Sequence, residues 1–249
     1  MTLYIVSAIL VFIFSGLMAM AGLGAAFLFV PLFYYLGVPL AEATPAALLL
    51  NVVSLMFAAF NYWRGKLVNW RVGLPVLITA VILSPFGARL TPYVDKKLLL
   101  GLFAAFLVFA GFMMLFYRAG KREQALSRGA EIGTGAGVGA TAGFLGGLLG
   151  VGGGNFILPV LNWIGLDAKV AAGTTAVVVV FSSLSGFLGH ATMGGLDPVF
   201  VGVTAVSAAL GSIVGSQLMK TKVSSAQLKK IIGVLLWLIA AKMIFDLVK

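Results

Sequence analysis

The chain has 249 residues, of which 61% are hydrophobic and only 10% charged, and its mean hydropathy is +1.11. Soluble domains are about half apolar and about a quarter charged, so this composition excludes a soluble protein and indicates one embedded in a lipid bilayer. The net charge of +10 lies in short clusters between apolar runs. Such clusters are typical of cytoplasmic loops that follow the positive-inside rule, and they argue against nucleic-acid binding.

Apolar runs divide the chain into two series of segments. The first series lies near residues 3–21, 25–36, 43–62, 72–90 and 98–117. The second lies near residues 132–149, 155–165, 170–190, 198–218 and 230–248. This pattern predicts a first membrane repeat over residues 1–117, a polar cytoplasmic linker over 118–131, and a second membrane repeat over 132–249.

The two series are related by a constant offset of 128 residues. Gly22 and Gly24 correspond to Gly150 and Gly152, and Pro31 corresponds to Pro159. Further along, Gly87 corresponds to Gly215 at the same offset. A constant offset makes chance matching improbable, and internal repeats are the usual architecture of secondary transporters.

The opening segments of each half are too long to be one helix. Residues 3–36 would form a helix of about 51 Å, whereas the hydrocarbon core of a bilayer is about 30 Å thick. The glycines at 22 and 24, and those at 150 and 152–154, are the expected breaks, because glycine accepts irregular backbone angles. Each half is therefore predicted to open with two helices that meet at an unwound point.

The basic residues decide whether each broken pair crosses the bilayer or turns back. If it turns back, Lys and Arg divide 12 to 5 between the two faces, and if it crosses, they divide 9 to 8. The positive-inside rule prefers the first arrangement. The predicted fold is therefore an all-α integral membrane protein with two inverted repeats. Each repeat has a broken, re-entrant helix pair plus three transmembrane helices, the linker is cytoplasmic and both termini lie outside.

Glycine recurs at every fourth position of the segment that opens the second half, at 135, 139, 143 and 147. This small-xxx-small pattern lets helix backbones approach closely in lipid, so we expect these glycines to be structural. Leucine at Gly139 is accordingly expected to impair folding. Leucine at Gly153, in the predicted break, is expected instead to block function by filling a site.

The sequence offers little for catalysis. It has no cysteine, a single histidine and seven acidic residues, all at segment ends or in loops. HExxH zinc ligation is thereby excluded, and a pairing of His190 with a nearby serine lacks a recognisable nucleophile turn. The Gly150–Gly154 run has no Lys-Ser/Thr after it, so it is not a nucleotide-binding loop. We therefore predict no enzyme, no metal and no cofactor.

The broken helices instead predict a site for a small anion. A helix that starts inside the bilayer presents unpaired N–H groups and about half a positive charge, and irregular backbone survives there only around a sheltered cavity. Two facing starts suit a monovalent anion without any buried Lys or Arg. The predicted substrate-binding residues are Gly24, Ala25, Ala26, Asn51, Gly152, Gly153, Gly154, Asn155, Thr174, Thr175 and Ser183. His190 is the candidate for coupling transport to protons.

The motif Gly150-Val-Gly-Gly-Gly-Asn-Phe-Ile-Leu-Pro159, followed by a Thr/Ser-rich helix, resembles the sulfite exporter TauE/SafE family of membrane permeases. The first half departs from it, with Ala25 and Ala26 where the second half has glycines. The resemblance implies a secondary transporter in the inner (plasma) membrane. It would move a sulfur-containing anion such as sulfite, thiosulfate or an organosulfonate by alternating access. A passive anion channel is the alternative.

Overall fold

A computed structural model describes residues 2–21, 24–116, 127–191, 197–218 and 225–248, and the regular structure within these ranges is entirely helical. The helices are α1 Thr2–Ala21, α2 Ala26–Tyr35, α3 Leu40–Arg64, α4 Trp70–Leu90, α5 Lys96–Phe116, α6 Arg128–Leu149, α7 Gly154–Trp163, α8 Ala168–Ala191, α9 Pro198–Leu218 and α10 Ser225–Val248. A 3-10 turn, Thr91–Tyr93, follows α4.

Seven helices of the described ranges are long and apolar enough to span a bilayer: α3, α4, α5, α6, α8, α9 and α10. Large apolar side chains such as Ile5, Phe86 and Leu238 lie on the outside, where lipid can cover them. The prediction of an all-α, multi-pass membrane protein is thus confirmed. Residues 117–126 of the linker region lie outside the described residues, and α6 already begins at Arg128.

Two helices, α2 and α7, have only ten residues each, or about 15 Å, and cannot cross a bilayer. In the second half, α6 ends and α7 begins through Gly150, Gly152 and Gly153, which all have φ between 72° and 73°. Only glycine adopts this left-handed conformation without strain, so the glycine run itself produces the break. In the first half α1 ends at Ala21, and Gly22 lies outside the described residues.

The helix pair α1 and α2 turns back on itself. The Phe200 ring, at the start of α9, lies 6.1 Å from the ring of Tyr4 and 5.1 Å from that of Phe33. Tyr4 belongs to the first turns of α1 and Phe33 to the last turn of α2, so α2 ends at the level where α1 begins. We call this level the first end of the molecule, and the level where α6 begins the second end.

A polar contact fixes each end. At the first end the Tyr4 hydroxyl donates to Asp197 over 2.6 Å, which joins α1 to the start of α9 and lowers the pKa of the Asp197 carboxyl. At the second end Arg71 of α4 lies 3.0 Å from Glu131 of α6. Both contacts join the opening helix of one half to the fourth helix of the other half.

Glycines let these same helices pack closely. Gly135, Gly139, Gly143 and Gly147 face α4, and a Cβ at Gly143 would lie only 2.5 Å from the Cα of Ala80. In the corresponding pair, Gly211 and Gly215 of α9 lie against the backbone of α1 at Phe12 and Gly16. The regular glycine spacing in the sequence thus has a direct steric reason.

Helix directions follow from these contacts. Gly135 lies against Val72 and Gly147 against Ser84, so α4 and α6 run parallel. Thr174 of α8 lies against Asn69 and Ser185 against Val81, so α8 runs in the same direction as α4. Gly173 of α8 lies against Tyr62 and Gly186 against Leu48, so α3 runs antiparallel to α8. Because α3 begins next to the end of α2, at the first end, α4 and α6 begin at the end opposite to the start of α1. These directions support inverted repeats, whose sidedness in the membrane stays a prediction.

Sidedness can be measured with single cysteines, because the chain contains none. We expect Tyr93→Cys, at the first end, to react with an impermeant maleimide added to intact cells, since Tyr93 is 85% exposed. Ser127→Cys, at the second end, should react only after permeabilisation. Labelling of Ser127→Cys in intact cells would contradict the predicted topology.

Candidate functional site

The centre of the molecule is organised around one amide side chain, that of Asn51. Asn51 lies in the middle of α3 and is 0% exposed. Its Oδ1 accepts a hydrogen bond from the N–H of Ala26, the first residue of α2, at 3.3 Å. Its Nδ2 donates to the hydroxyl of Ser183 on α8 at 2.9 Å. One side chain thus connects the helix break of the first half to the core of the second half.

Both breaks approach this amide through glycines. A Cβ at Gly24 would collide with the Asn51 amide. A Cβ at Gly152 would collide with Asn51 Nδ2 and lie 2.7 Å from Ser183 Oγ. The close contact with Asn51 therefore requires glycine at both positions. At Gly152 the positive φ requires glycine as well.

A small cavity lies beside Asn51, between the starts of α2 and α7. Its lining residues are Gly24, Phe27, Asn51, Val151, Gly154, Asn155 and Val179. None of these residues carries a charge, and the cavity lies beside the first residues of two helices, the ends at which a helix carries a partial positive charge. Binding of a small anion there stays a prediction.

Two buried polar groups near this cavity have no hydrogen-bond partner among the residues that the structure describes. They are Oδ1 of Asn155, whose residue is 5% exposed, and Oγ1 of Thr175, whose residue is 3% exposed. The Cγ2 of Thr175 lies 3.7 Å from the place a Cβ would take at Gly154. Leaving buried polar atoms unpaired costs about 1–3 kcal/mol each, so these groups need a ligand or water as partner.

Most of the sequence-predicted residues converge here. Gly24, Ala26, Asn51, Gly152, Gly154, Asn155, Thr175 and Ser183 lie in or next to the cavity, and Ala25 is buried at the start of α2. Thr174 does not join them. Its hydroxyl donates to the Val170 carbonyl at 2.7 Å and accepts from the N–H of Asn69 at 2.9 Å, so it holds the start of α4 against α8.

Gly153 faces away from the cavity. A Cβ there would lie 2.6 Å from the carbonyl oxygen of Ala142 on α6. Leucine at Gly153 would therefore collide with α6. The sequence-based expectation that it would fill the site does not fit this geometry. Gly154 is the glycine that lines the cavity.

His190 lies near the end of α8, seven residues beyond Ser183, or about 10 Å along the helix. It is 3% exposed, and its Nε2 forms a hydrogen bond of 3.0 Å with the carbonyl of Gly147 on α6. This contact holds α8 against α6 at the break. Proton coupling through His190 stays a prediction.

Sequence reasoning missed three apolar lining residues: Phe27, Val151 and Val179. Apolar residues carry no chemical signal in a sequence that is mostly apolar. The offset of 128 could have singled out Val179, because it occupies the place in the second half that Asn51 occupies in the first.

A second cavity lies among α2, α3, α5, α6 and α10. It is lined by side chains such as Val30, Leu99, Phe103 and Leu148, and its polar groups come only from Tyr34 and Thr44. Leu40, the first residue of α3, lines it, but none of its described lining side chains is a buried polar group without a partner. The cavity at Asn51, which has such a group in Asn155, is therefore the better candidate site.

Comparison with known proteins agrees with a transport function. The chain matches the family described as sulfite exporter TauE/SafE over residues 7–243. It is 26% identical over 221 residues to the probable membrane transporter protein YdhB of Bacillus subtilis, covering 87% of each chain. It is 26% identical over 188 residues to the probable membrane transporter protein MJ0441 of Methanocaldococcus jannaschii, covering 73% of this chain and 70% of that one. No solved structure matches it significantly.

Proposed function

Because the chain belongs to the sulfite exporter TauE/SafE family of membrane transporters, we propose that it carries a small sulfur-containing anion across the plasma membrane by alternating access. Sulfite, thiosulfate and organosulfonates are the substrate class. One observation supports an anionic substrate. The uncharged cavity between the starts of α2 and α7 lies beside the unpaired groups of Asn155 and Thr175.

The electrostatics of the cavity favour release as well as binding. Two helix starts together supply about one positive charge, and no ammonium or guanidinium group lines the cavity. A fixed Lys or Arg would form stronger, charge-assisted hydrogen bonds and hold the anion longer. A transporter has to release its substrate in every cycle, so moderate binding suits this function.

Burial favours a carrier over a passive channel. Asn51 and Ser183 are 0% exposed and Asn155 is 5% exposed, so the polar side chains beside the cavity are shielded from solvent in this state. A channel needs a continuous path, whereas a carrier passes through a state with the site closed on both sides. We therefore propose that the helices around Asn51 open the cavity to each side in turn.

Flux into proteoliposomes tests the proposed function. We expect protein-dependent uptake of radiolabelled sulfite, thiosulfate or a short alkanesulfonate that saturates with concentration. Unlabelled anion inside the vesicles should accelerate this uptake, because a carrier returns faster when loaded. The matched control is empty liposomes of the same lipid composition.

The alternatives give different results in the same assay. Linear flux that neither saturates nor responds to internal anion would identify a passive channel. No flux of any of these anions, by protein that elutes as a single folded species, would contradict the proposed substrate class. An imposed proton gradient that alters the initial rate would indicate proton coupling.

A further inference from the structure

The two helix starts at the cavity are faced by different side chains. Ala26, the first residue of α2, is faced by Asn51, and its counterpart Gly154, the first residue of α7, is faced by Val179. We infer that the anion binds at the start of α7 alone, and that Asn51 is a built-in acceptor that occupies the start of α2. This inference rests on the proposed function and assigns the two breaks unequal roles.

Three N–H groups at the start of α2 already have acceptors within the protein. The N–H groups of Leu28 and Phe29 both donate to the carbonyl of Ala25, at 2.9 and 3.2 Å. The N–H of Ala26 donates to Asn51 Oδ1. A backbone N–H can only donate, so Ala26 fixes the amide oxygen as the atom that faces it, and the amide nitrogen then donates to Ser183. An anion that binds the N–H of Ala26 would have to displace the Asn51 oxygen.

The start of α7 has the same backbone pattern without that oxygen. The N–H groups of Phe156 and Ile157 donate to the carbonyl of Gly153 at 3.0 and 3.3 Å, as in α2. Gly154, however, faces Val179, whose Cγ2 would lie 3.2 Å from a Cβ at that glycine. A valine side chain accepts no hydrogen bond, and Gly153 provides no side-chain cap.

The unpaired polar groups belong to the same half of the chain as the start of α7. Asn155 and Thr175 belong to the second half, and their counterparts at the offset of 128 are Phe27 and Ala47. The amide and the hydroxyl can each donate to an oxygen of the ligand, since an asparagine amide presents either atom by rotation. The arrangement fits a small oxyanion with several acceptor oxygens and one negative charge.

Exchanging the two facing residues tests the inference. Asn51→Val gives α2 the side chain that α7 has, and Val179→Asn gives α7 the acceptor that α2 has. Anion affinity is measured from the unfolding temperature of the purified full chain against sulfite, thiosulfate and a short alkanesulfonate, because a ligand that binds only the folded state raises it. Val180→Asn, on the next and less buried position of α8, is the matched control.

We expect Val179→Asn to weaken anion binding by about tenfold or more, the scale of losing one hydrogen bond to a charged group. Asn51→Val should bind the anion at least as tightly as the natural protein, and Val180→Asn should bind it equally. Loss of binding in folded Asn51→Val would overturn the inference, since Asn51 would then be a ligand of the anion. Natural affinity in folded Val179→Asn would also overturn it.

Two further outcomes, a variant that does not fold and a protein that binds no anion, can be told apart from those above. If Val179→Asn does not fold, Asn51→Val alone decides, because the inference predicts retained binding and a shared site predicts its loss. If no anion stabilises the natural protein and no flux is seen in proteoliposomes, the proposed function itself fails and the inference falls with it.

Discussion

Transport is expected to fall by about tenfold or more when Gly152 is replaced by alanine. Gly152 has φ +73°, and an added Cβ would collide with the Asn51 amide and approach Ser183 Oγ to 2.7 Å. An alanine in this left-handed conformation costs about 1–2 kcal/mol. The collision would in addition displace the Asn51 side chain, which joins both breaks. Saturable anion flux in proteoliposomes measures the effect.

Gly165→Ala is the matched control for Gly152→Ala. Gly165 also needs a positive φ, at +101°, but a Cβ there meets nothing within 4 Å. The control therefore carries the backbone strain without the collision, and it should lose stability while keeping transport near the natural rate. Equal losses of transport in the two variants would mean that strain alone explains the effect and that the contact with Asn51 is unimportant.

The yield of folded protein is expected to collapse when Gly143 is replaced by valine. A Cβ at Gly143 would lie 2.5 Å from both the Cα and the carbonyl oxygen of Ala80, and neither of these backbone atoms can rotate away. Overpacking a close interface typically costs 1–3 kcal/mol or more, and here it would force α4 and α6 apart. Size-exclusion profiles and unfolding temperatures in detergent measure this.

Gly137→Val provides the comparison on the same helix. Gly137 lies on the exposed face of α6, where a Cβ meets nothing within 4 Å. Loss of a helix glycine is itself slightly stabilising, so this variant should fold at least as well as the natural protein. A Gly143→Val protein with the same unfolding temperature as Gly137→Val would refute the close contact between α4 and α6.

Hydropathy and helix length were sufficient to predict the helical segments and the two short helices. The second break was predictable because its glycines adopt backbone angles that other residues avoid. The glycine spacing of α6 likewise identified a packed face. These features depend on local chemistry, which the sequence expresses directly.

The side of the break that faces the cavity was not predictable in the same way. Gly153 and Gly154 are neighbours of identical type, yet one faces α6 and the other the cavity. Thr174 and Thr175 are also adjacent, and only Thr175 lies near the site. Such differences depend on the rotation of each helix about its axis, which tertiary packing sets. The pairing of Asn51 with Ser183, across 132 residues of sequence, has the same origin.

The glycine contacts described above also make the two halves of the chain depend on each other. The opening helix of the first half, α1, packs against α9 of the second half. The opening helix of the second half, α6, packs against α4 of the first half. The opening helix of each half therefore packs on the other half. A polypeptide of half this length would expose its glycine groove to lipid. The opening helix of a second copy could cover that groove, so we expect either half, produced alone, to depend on a partner.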